Sequence, residues 1–119
     1  MSISSEFLPL REPTFFILLS LADGDKHGYA ILKDIDTLSN ERVQVSTSTL
    51  YEALARLLDQ GLVARITADD QDDAAHHPGR PRKFYQLTHL GQQVLDAELA
   101  RLHVLVTAAQ QRLGLSNNP

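Results

Sequence analysis

The chain has 119 residues and a formal net charge of −4, because 15 Asp and Glu residues outnumber 11 Lys and Arg residues. This acidic balance argues against a protein that coats nucleic acid without sequence preference, since such proteins are strongly basic. The absence of cysteine excludes disulfide frameworks, thiolate nucleophiles and cysteine-bound zinc. At this length we expect a single hydrophobic core.

Nothing in the sequence indicates a membrane segment. The longest apolar run, residues 15–22, is interrupted by Ser20 and is far shorter than the ~20 residues that span a bilayer. Residues 1–10 lack the basic and apolar regions of a signal peptide. The sequence therefore predicts a cytoplasmic protein without a membrane partner.

Two helices are predicted in the first third of the chain. Residues 13–22 begin with a proline, which suits the first turn of a helix, and end before an Asp-Gly-Asp turn. Residues 28–38 carry apolar side chains at near-helical spacing. We expect Tyr29 to hold the first turn of this second helix against the core.

A third helix is predicted from its two ends. Residues 46–49 are all serine or threonine and offer several alternative N-caps, and Thr49 with Glu52 fits a capping box. Apolar residues then recur at helical spacing until Gly61, a residue type favoured just beyond a helix C-terminus. The sequence therefore predicts a helix whose N-terminus is rich in hydroxyl groups.

After this helix, apolar residues recur at every second position. Residues 62–68 and 82–88 alternate in polarity, which is typical of strands. The intervening residues 69–79 are polar and include the acidic run DDQDD. The two strands and their connection predict a β-hairpin.

One long helical pattern occupies residues 88–113, about 39 Å at 1.5 Å per residue. Its apolar residues alternate in steps of four and three, which is typical of the narrow seam between two helices. The seam either packs on the first helix and arm of the same chain or meets a second copy. We favour a homodimer because the helix is too long for so small a domain to cover. The predicted interface is Leu95, Leu99, Leu102, Val106, Ala109 and Leu113.

The order of elements predicts a mainly α protein with a small β-hairpin, namely a winged helix-turn-helix followed by a long C-terminal dimerisation helix. We place the DNA-binding domain at residues 1–87 and the dimerisation helix and tail at 88–119. In this fold the third helix enters the major groove, and the wing reaches the flanking backbone or the minor groove. The returning arm of the wing carries Arg80, Arg82 and Lys83, which supply local positive charge.

The sequence resembles the PadR family of bacterial transcriptional regulators. The resemblance is carried by residues 10–35 with their His-Gly-Tyr, by 46–63 with TLYEALARLLDQGL, and by 79–91 with GRPRKFYQLTHLG. It implies a homodimeric repressor of double-stranded operator DNA. Ser48 stands where many relatives have glycine, which bears on sequence preference. The contacts carried over from the family are Ser46, Thr47, Ser48, Thr49, Tyr51, Arg80, Arg82 and Lys83.

Several side chains have two interpretations. Tyr51 either reaches DNA or packs against the wing, and Lys26 and His27 are candidates for phosphate contacts. His76 and His77 lie side by side in a loop without cysteine, which is more typical of solvated residues than of a metal site. We predict no metal and no cofactor. No catalytic constellation is present, so the sequence does not predict an enzyme.

An effector site is implied by the resemblance alone, since the family binds small-molecule inducers near the dimer axis. Here Phe7, Leu8, Phe15 and Phe16 are expected to cover the base of the long helix and line such a cavity. The alternative to a DNA-binding regulator is a winged-helix module that binds proteins only. The net charge of −4 and the acidic segment of the wing favour that alternative.

Overall fold

The computed structural model describes residues 6–67 and 83–115. They form four helices and three strands, in an order that confirms the predicted mainly helical winged helix-turn-helix. The helices are α1 (Glu12–Leu21), α2 (Gly28–Leu38), α3 (Thr47–Asp59) and α4 (His89–Leu113), and the strands are β1 (Lys26–His27), β2 (Val63–Thr67) and β3 (Lys83–Leu87).

Within the described residues, the strands make one antiparallel sheet in the order β1-β3-β2. Arg65 of β2 lies opposite Tyr85 of β3, and Lys26 of β1 lies opposite the same tyrosine from the other side. The sequence did not predict β1, because two residues are too short to show an alternating pattern. This strand attaches the start of α2 to the base of the wing.

The core lies where α1, α2 and α3 meet the sheet and the first turns of α4. The prediction that Tyr29 belongs to this core is wrong, because its side chain is 65% exposed. Its neighbours on the inner face of α2, Ile31 and Ile35, are completely buried instead. The buried apolar residues are Ile17, Leu18, Leu21, Ile31, Ile35, Leu50, Ala53, Leu54, Leu57, Leu62, Val63, Tyr85, Val94 and Leu95.

Helix α3 has a well-defined cap at each end. Ser46 is the N-cap, and its Oγ accepts a hydrogen bond from the Thr49 amide at 3.1 Å. The predicted Thr49–Glu52 capping box is therefore wrong, since Thr49 already lies inside the first turn. Gly61 confirms the predicted C-terminus: it has a φ of 78°, and the Leu62 amide donates back to the Leu57 carbonyl.

Thr88 joins the wing directly to α4. Its Oγ1 accepts a hydrogen bond from the Gly91 amide at 3.0 Å and donates to the Gly61 carbonyl at 2.7 Å. A side chain at Gly91 would overlap the Leu62 carbonyl oxygen. These contacts hold the start of α4 against the turn that follows α3. Only Thr88 separates β3 from α4.

Helix α4 changes its surroundings along its length. Val94, Leu95 and Glu98 are buried within the chain, whereas apolar side chains become exposed from Leu99 onward. Leu95 differs from the prediction, because it packs in the core of its own chain rather than facing outward.

No helix among the described residues has the length and apolar composition needed to cross a membrane.

Candidate nucleic-acid interface

The hydroxyl groups at the start of α3 divide into two kinds. Ser46 and Thr49 bind each other, since Ser46 Oγ also donates to Thr49 Oγ1 at 2.9 Å. They therefore hold the end of the helix in shape. Thr47 and Ser48 are exposed, and Ser48 Oγ has only a distant contact with Ser46 Oγ at 3.4 Å. These two side chains project from a helix end whose amide groups favour negative charge.

Tyr51 lies one turn further along α3 and contacts α2. Its side chain is about half exposed, and its phenol ring lies so close to Gly28 that a Cβ at this position would overlap the hydroxyl group. This contact supplies the physical reason for glycine in the His-Gly-Tyr sequence. The two interpretations from sequence, DNA or wing, did not include this packing on α2.

Lys26 is engaged within its own chain. Its Nζ lies 2.5 Å from Asp23 Oδ1 and 3.4 Å from Asp34 Oδ2, and it donates to the Ser20 carbonyl. Burial lowers the pKa of Lys26, but the hydrogen bonds and charges of the two carboxylates outweigh it and raise the pKa overall. The charge is already neutralised, which removes the reason to expect a phosphate contact from this side chain.

The wing contributes exposed basic side chains. Lys83 opens β3 and is exposed, as is Arg65 on β2. The sequence analysis missed Arg65, although the alternation of residues 62–68 contained the signal. His27 is half-buried and packs edge-on against Phe84 at 5.7 Å. Arg80, Arg82, His76 and His77 lie outside the described residues.

The second half of α4 exposes an apolar face. Leu99 is 46% and Val106 52% exposed, and both belong to the predicted seam. Ala109 and Leu113 are exposed on the same face, whereas Leu102 is half-buried. The described part of this chain does not cover these side chains.

A comparison with known families identifies the architecture. The model of the transcriptional regulator PadR-like family matches residues 17–97, from α1 into α4. The chain belongs to this family. Its members regulate transcription, which agrees with the prediction of a regulator rather than an enzyme.

Relatives of this PadR-like protein include solved structures. A PadR family regulator from Clostridium difficile shares the fold with a TM-score of 0.69 and 23% identity, over 87% of this chain and 99% of that one. Bacillus subtilis PadR in complex with operator DNA has a TM-score of 0.62 and 26% identity. That match covers 75% of this chain and 47% of the Bacillus protein. An uncharacterised protein of Lysinibacillus sphaericus is 30% identical over 67% of this chain and 68% of its own.

The PadR-like protein has a cavity of about 430 Å³ beside the middle of α4. Phe15 and Phe16 line it, as predicted for the effector site, but Phe7 and Leu8 do not. Phe7 lines a separate, smaller groove, and Leu8 packs against the core. The cavity is lined by Leu10, Glu12, Phe15, Phe16, Ser39, Arg42, Val43, Glu98, Arg101 and Leu102.

Glu98 fixes the N-terminal arm to α4 inside this cavity. Its carboxylate is 2% exposed, accepts from Arg101 Nε and Nη2 at 2.6 and 2.8 Å, and accepts the Leu10 amide at 3.1 Å. The hydrogen bonds of Arg101 lower the pKa of Glu98, burial opposes this, and the Leu10 amide adds to the lowering. The sequence analysis missed this residue, because an ion pair three residues apart usually lies on the surface of a helix.

We expect Glu98→Gln to lower the free energy of unfolding by about 1 kcal/mol at pH 7, a modest value because Arg101 is partly exposed. A lowered pKa in the folded state means that the contribution of Glu98 is complete above the ordinary value of 4.5. It is lost as the pH falls below 4.5 through the lowered pKa. Urea unfolding of both proteins between pH 7 and pH 3 measures the difference.

The two unfolding curves should therefore converge at acid pH. Glu52→Gln, on an exposed part of α3, is the matched variant and should change the unfolding free energy much less at pH 7. A Glu98→Gln difference that stays constant between pH 7 and pH 3 would contradict the role of the carboxylate charge.

Proposed function

We propose that the protein is a homodimeric repressor that binds an inverted repeat in operator DNA. The observation that carries this proposal is the exposed start of α3, from which Thr47 and Ser48 project. The wing adds exposed basic side chains at Arg65 and Lys83. Bacillus subtilis PadR, whose fold is similar, is in complex with operator DNA in its crystal structure, which supports DNA binding by this chain. The proposed contacts are the hydroxyl residues of α3, Tyr51, Lys83, and Arg80 and Arg82 outside the described residues.

The chemistry of α3 suits a major groove. Serine and threonine hydroxyl groups donate to and accept from base edges, and short side chains allow the helix end to approach closely. Positive charges on the wing bind phosphate and fix the orientation of the helix. Lys83 and Arg65 are exposed on adjacent strands, so both are suitably placed for this role.

The uncovered face of α4 supports the proposed dimer. In this proposal residues 1–87 recognise DNA and residues 88–119 join two copies, although the first turns of α4 also belong to the core. A two-fold symmetric dimer presents two reading helices to successive major grooves, about 34 Å apart. Such a complex represses by occupying the operator.

The cavity beside the middle of α4 is the proposed effector site. Phe15 and Phe16 supply apolar surface. The charged side chains of the lining balance, because Glu12 and Glu98 accompany Arg42 and Arg101. A ligand there touches both the winged domain and α4, and a shift between them changes the spacing of the two reading helices. A thermal-shift screen with phenolic compounds and cationic drugs tests this part of the proposal, which predicts a ligand that raises the melting temperature and weakens operator binding.

We expect Thr47→Asp to weaken operator binding at least about 100-fold, because a carboxylate at this position faces the phosphates of DNA. The same change should leave the fold intact, since an acidic residue in the first turn of a helix is stabilising. Titration of labelled DNA from upstream of its own gene, followed by fluorescence anisotropy at several salt concentrations, measures the affinity.

His89→Asp provides the matched control. His89 is the first residue of α4 and is exposed, so the substitution has the same chemistry at a different helix end. It lies beside the C-terminal end of α3, where Thr88 binds Gly61, and should not change the affinity. If the wild-type protein binds no duplex even at 50 mM salt, the protein-interaction module becomes the better interpretation.

A further inference from the structure

The smaller groove lies where the N-terminal arm (residues 6–11) meets α1 and the C-terminal end of α3. Its volume is about 180 Å³, less than the roughly 300–1,000 Å³ of sites that take drug-sized ligands. Arg11 and Thr14 line one side, and Arg56 and Gln60 line the other. The groove therefore suits a compact ligand of a few atoms rather than a peptide.

Both arginines of this groove have charge available for a ligand. Within residues 6–67 and 83–115, neither Arg11 nor Arg56 makes an ion pair. Glu52 and Asp59 lie close to Arg56 along α3, but no oxygen of either carboxylate comes within 4.0 Å of its guanidinium nitrogens. Glu12 follows Arg11 in sequence, yet it lines the larger cavity and not this groove. Two cations thus share the groove, and its described lining contains no carboxylate.

The floor of the groove is apolar. Leu57 and Leu62 line it and are almost completely buried. The arm adds Phe7, Pro9 and Leu10. The larger cavity beside α4 differs, because its positive and negative side chains balance. The smaller groove thus combines charge of one sign with apolar surface, in a chain whose net charge is −4.

We propose that this groove binds a small organic carboxylate with a short apolar chain. The guanidinium groups of Arg11 and Arg56 bind the carboxylate, because the planar fork of N–H donors in arginine matches its two oxygens. The anion also reduces the repulsion between the two like charges. The short chain packs on Leu57 and Leu62, which bury its apolar surface.

The site is separate from the proposed DNA contacts. Arg56 and Gln60 lie at the C-terminal end of α3, whereas Thr47 begins this helix. A ligand held by Arg11 and Arg56 joins the arm to α3. The arm is already bound to α4, since the Leu10 amide donates to Glu98 at 3.1 Å. The ligand therefore adds a second attachment of the arm and stabilises the folded chain.

The test is an NMR titration of the full chain with butyrate, butanol and inorganic phosphate at constant ionic strength. Butyrate has both the charge and the apolar chain, butanol has only the chain, and phosphate has only the charge. Butyrate should bind with a dissociation constant of about 1 mM and shift the Nε–H resonances of Arg11 and Arg56. Butanol and phosphate should bind at least about tenfold more weakly, because each lacks one part of the interaction.

Arg11→Gln and Arg56→Gln should each weaken butyrate binding about tenfold, because each removes one charged pair of donors. Arg42→Gln is the matched control. It removes the same charge from an exposed arginine that lines the larger cavity, and it should leave the butyrate affinity unchanged. The backbone amide spectrum of each variant shows whether the fold is retained. At ten times the dissociation constant, butyrate should raise the melting temperature of the wild-type protein by about 5 °C.

Four results would overturn the proposal. If phosphate binds as tightly as butyrate, the apolar floor has no role, and if butanol does so, the arginines have none. If Arg42→Gln weakens butyrate binding as much as Arg56→Gln does, the anion lies in the larger cavity. If none of the three probes shifts the arginine resonances, the groove is not a ligand site. DNA binding is measured separately, so each of these results leaves the proposed regulator unaffected.

Discussion

Replacement of Leu99 and Val106 by aspartate is expected to give a folded monomer that has lost at least about 100-fold in affinity for operator DNA. Both side chains are about half exposed in the single chain, so a carboxylate is tolerated there in the monomer. In a helix seam the same carboxylate is buried against a second copy without a partner, which costs several kcal/mol.

The loss of DNA affinity follows from the loss of bivalency. A dimer that has bound one half-site binds the second as an intramolecular step, and this effective concentration raises the affinity by a factor of about 10² to 10⁴. A monomer keeps only the contacts of one α3 and one wing. Light scattering gives the molecular mass, and anisotropy titration gives the affinity.

Val104→Asp is the control on the same helix. Val104 is 64% exposed and lies about 200° around the helix from Val106. If the seam is the interface, this variant remains dimeric and binds DNA normally. A dimer that survives Leu99→Asp with Val106→Asp but dissociates with Val104→Asp would move the interface to the opposite face of α4.

Gly91→Ala is expected to lower the free energy of unfolding by about 3 kcal/mol, a large part of the usual stability of a small domain. A methyl group at Gly91 overlaps the Leu62 carbonyl oxygen and crowds the Leu87 side chain. The carbonyl oxygen cannot move freely, because it already accepts the Thr88 amide at 3.1 Å. The start of α4 must therefore move away from α3.

Gly28→Ala is the comparison variant for Gly91→Ala. It distinguishes a steric overlap with the backbone from an overlap with a side chain. A methyl group at Gly28 meets the end of the Tyr51 side chain, which can rotate toward solvent, so the loss of stability should be much smaller. Urea unfolding of both variants gives the two free energies. Equal losses, or a Gly91→Ala protein as stable as the wild type, would contradict the close contact between α4 and the Gly61–Leu62 turn that follows α3.

The elements with strong periodic patterns were predictable from the sequence. The bounds of α2 were predicted correctly, and those of α1 and α4 to within one residue, because apolar spacing and end signals agreed. The N-cap of α3 was ambiguous, since residues 46–49 all have hydroxyl groups and the choice of Ser46 depends on how α3 packs. Strand β1 exists only because β3 offers a partner for two residues, and no local pattern encodes such a pairing.

The candidate site was predictable as a pattern of residues but not as a set of contacts. Lys26 and Lys33 are both basic residues near α2, yet one is neutralised by Asp23 and Asp34 while the other is exposed. Nothing in the sequence around Glu98 distinguishes it from an exposed glutamate on a helix. Its burial depends on the N-terminal arm, which folds over it and binds it through the Leu10 amide. Tertiary packing decides such differences, and the net charge of the chain does not report them.

The connection at Thr88 has a consequence for the operator. In a dimer of this chain, the reading unit and the dimerisation helix are joined by a single residue whose backbone and side chain are both hydrogen-bonded. A protein with a flexible linker between these two parts tolerates half-sites at several separations. The hydrogen-bonded connection at Thr88 does not allow such adjustment. Insertion of a few base pairs between the half-sites would rotate one of them away from its reader, so operators of this regulator should share one fixed spacing.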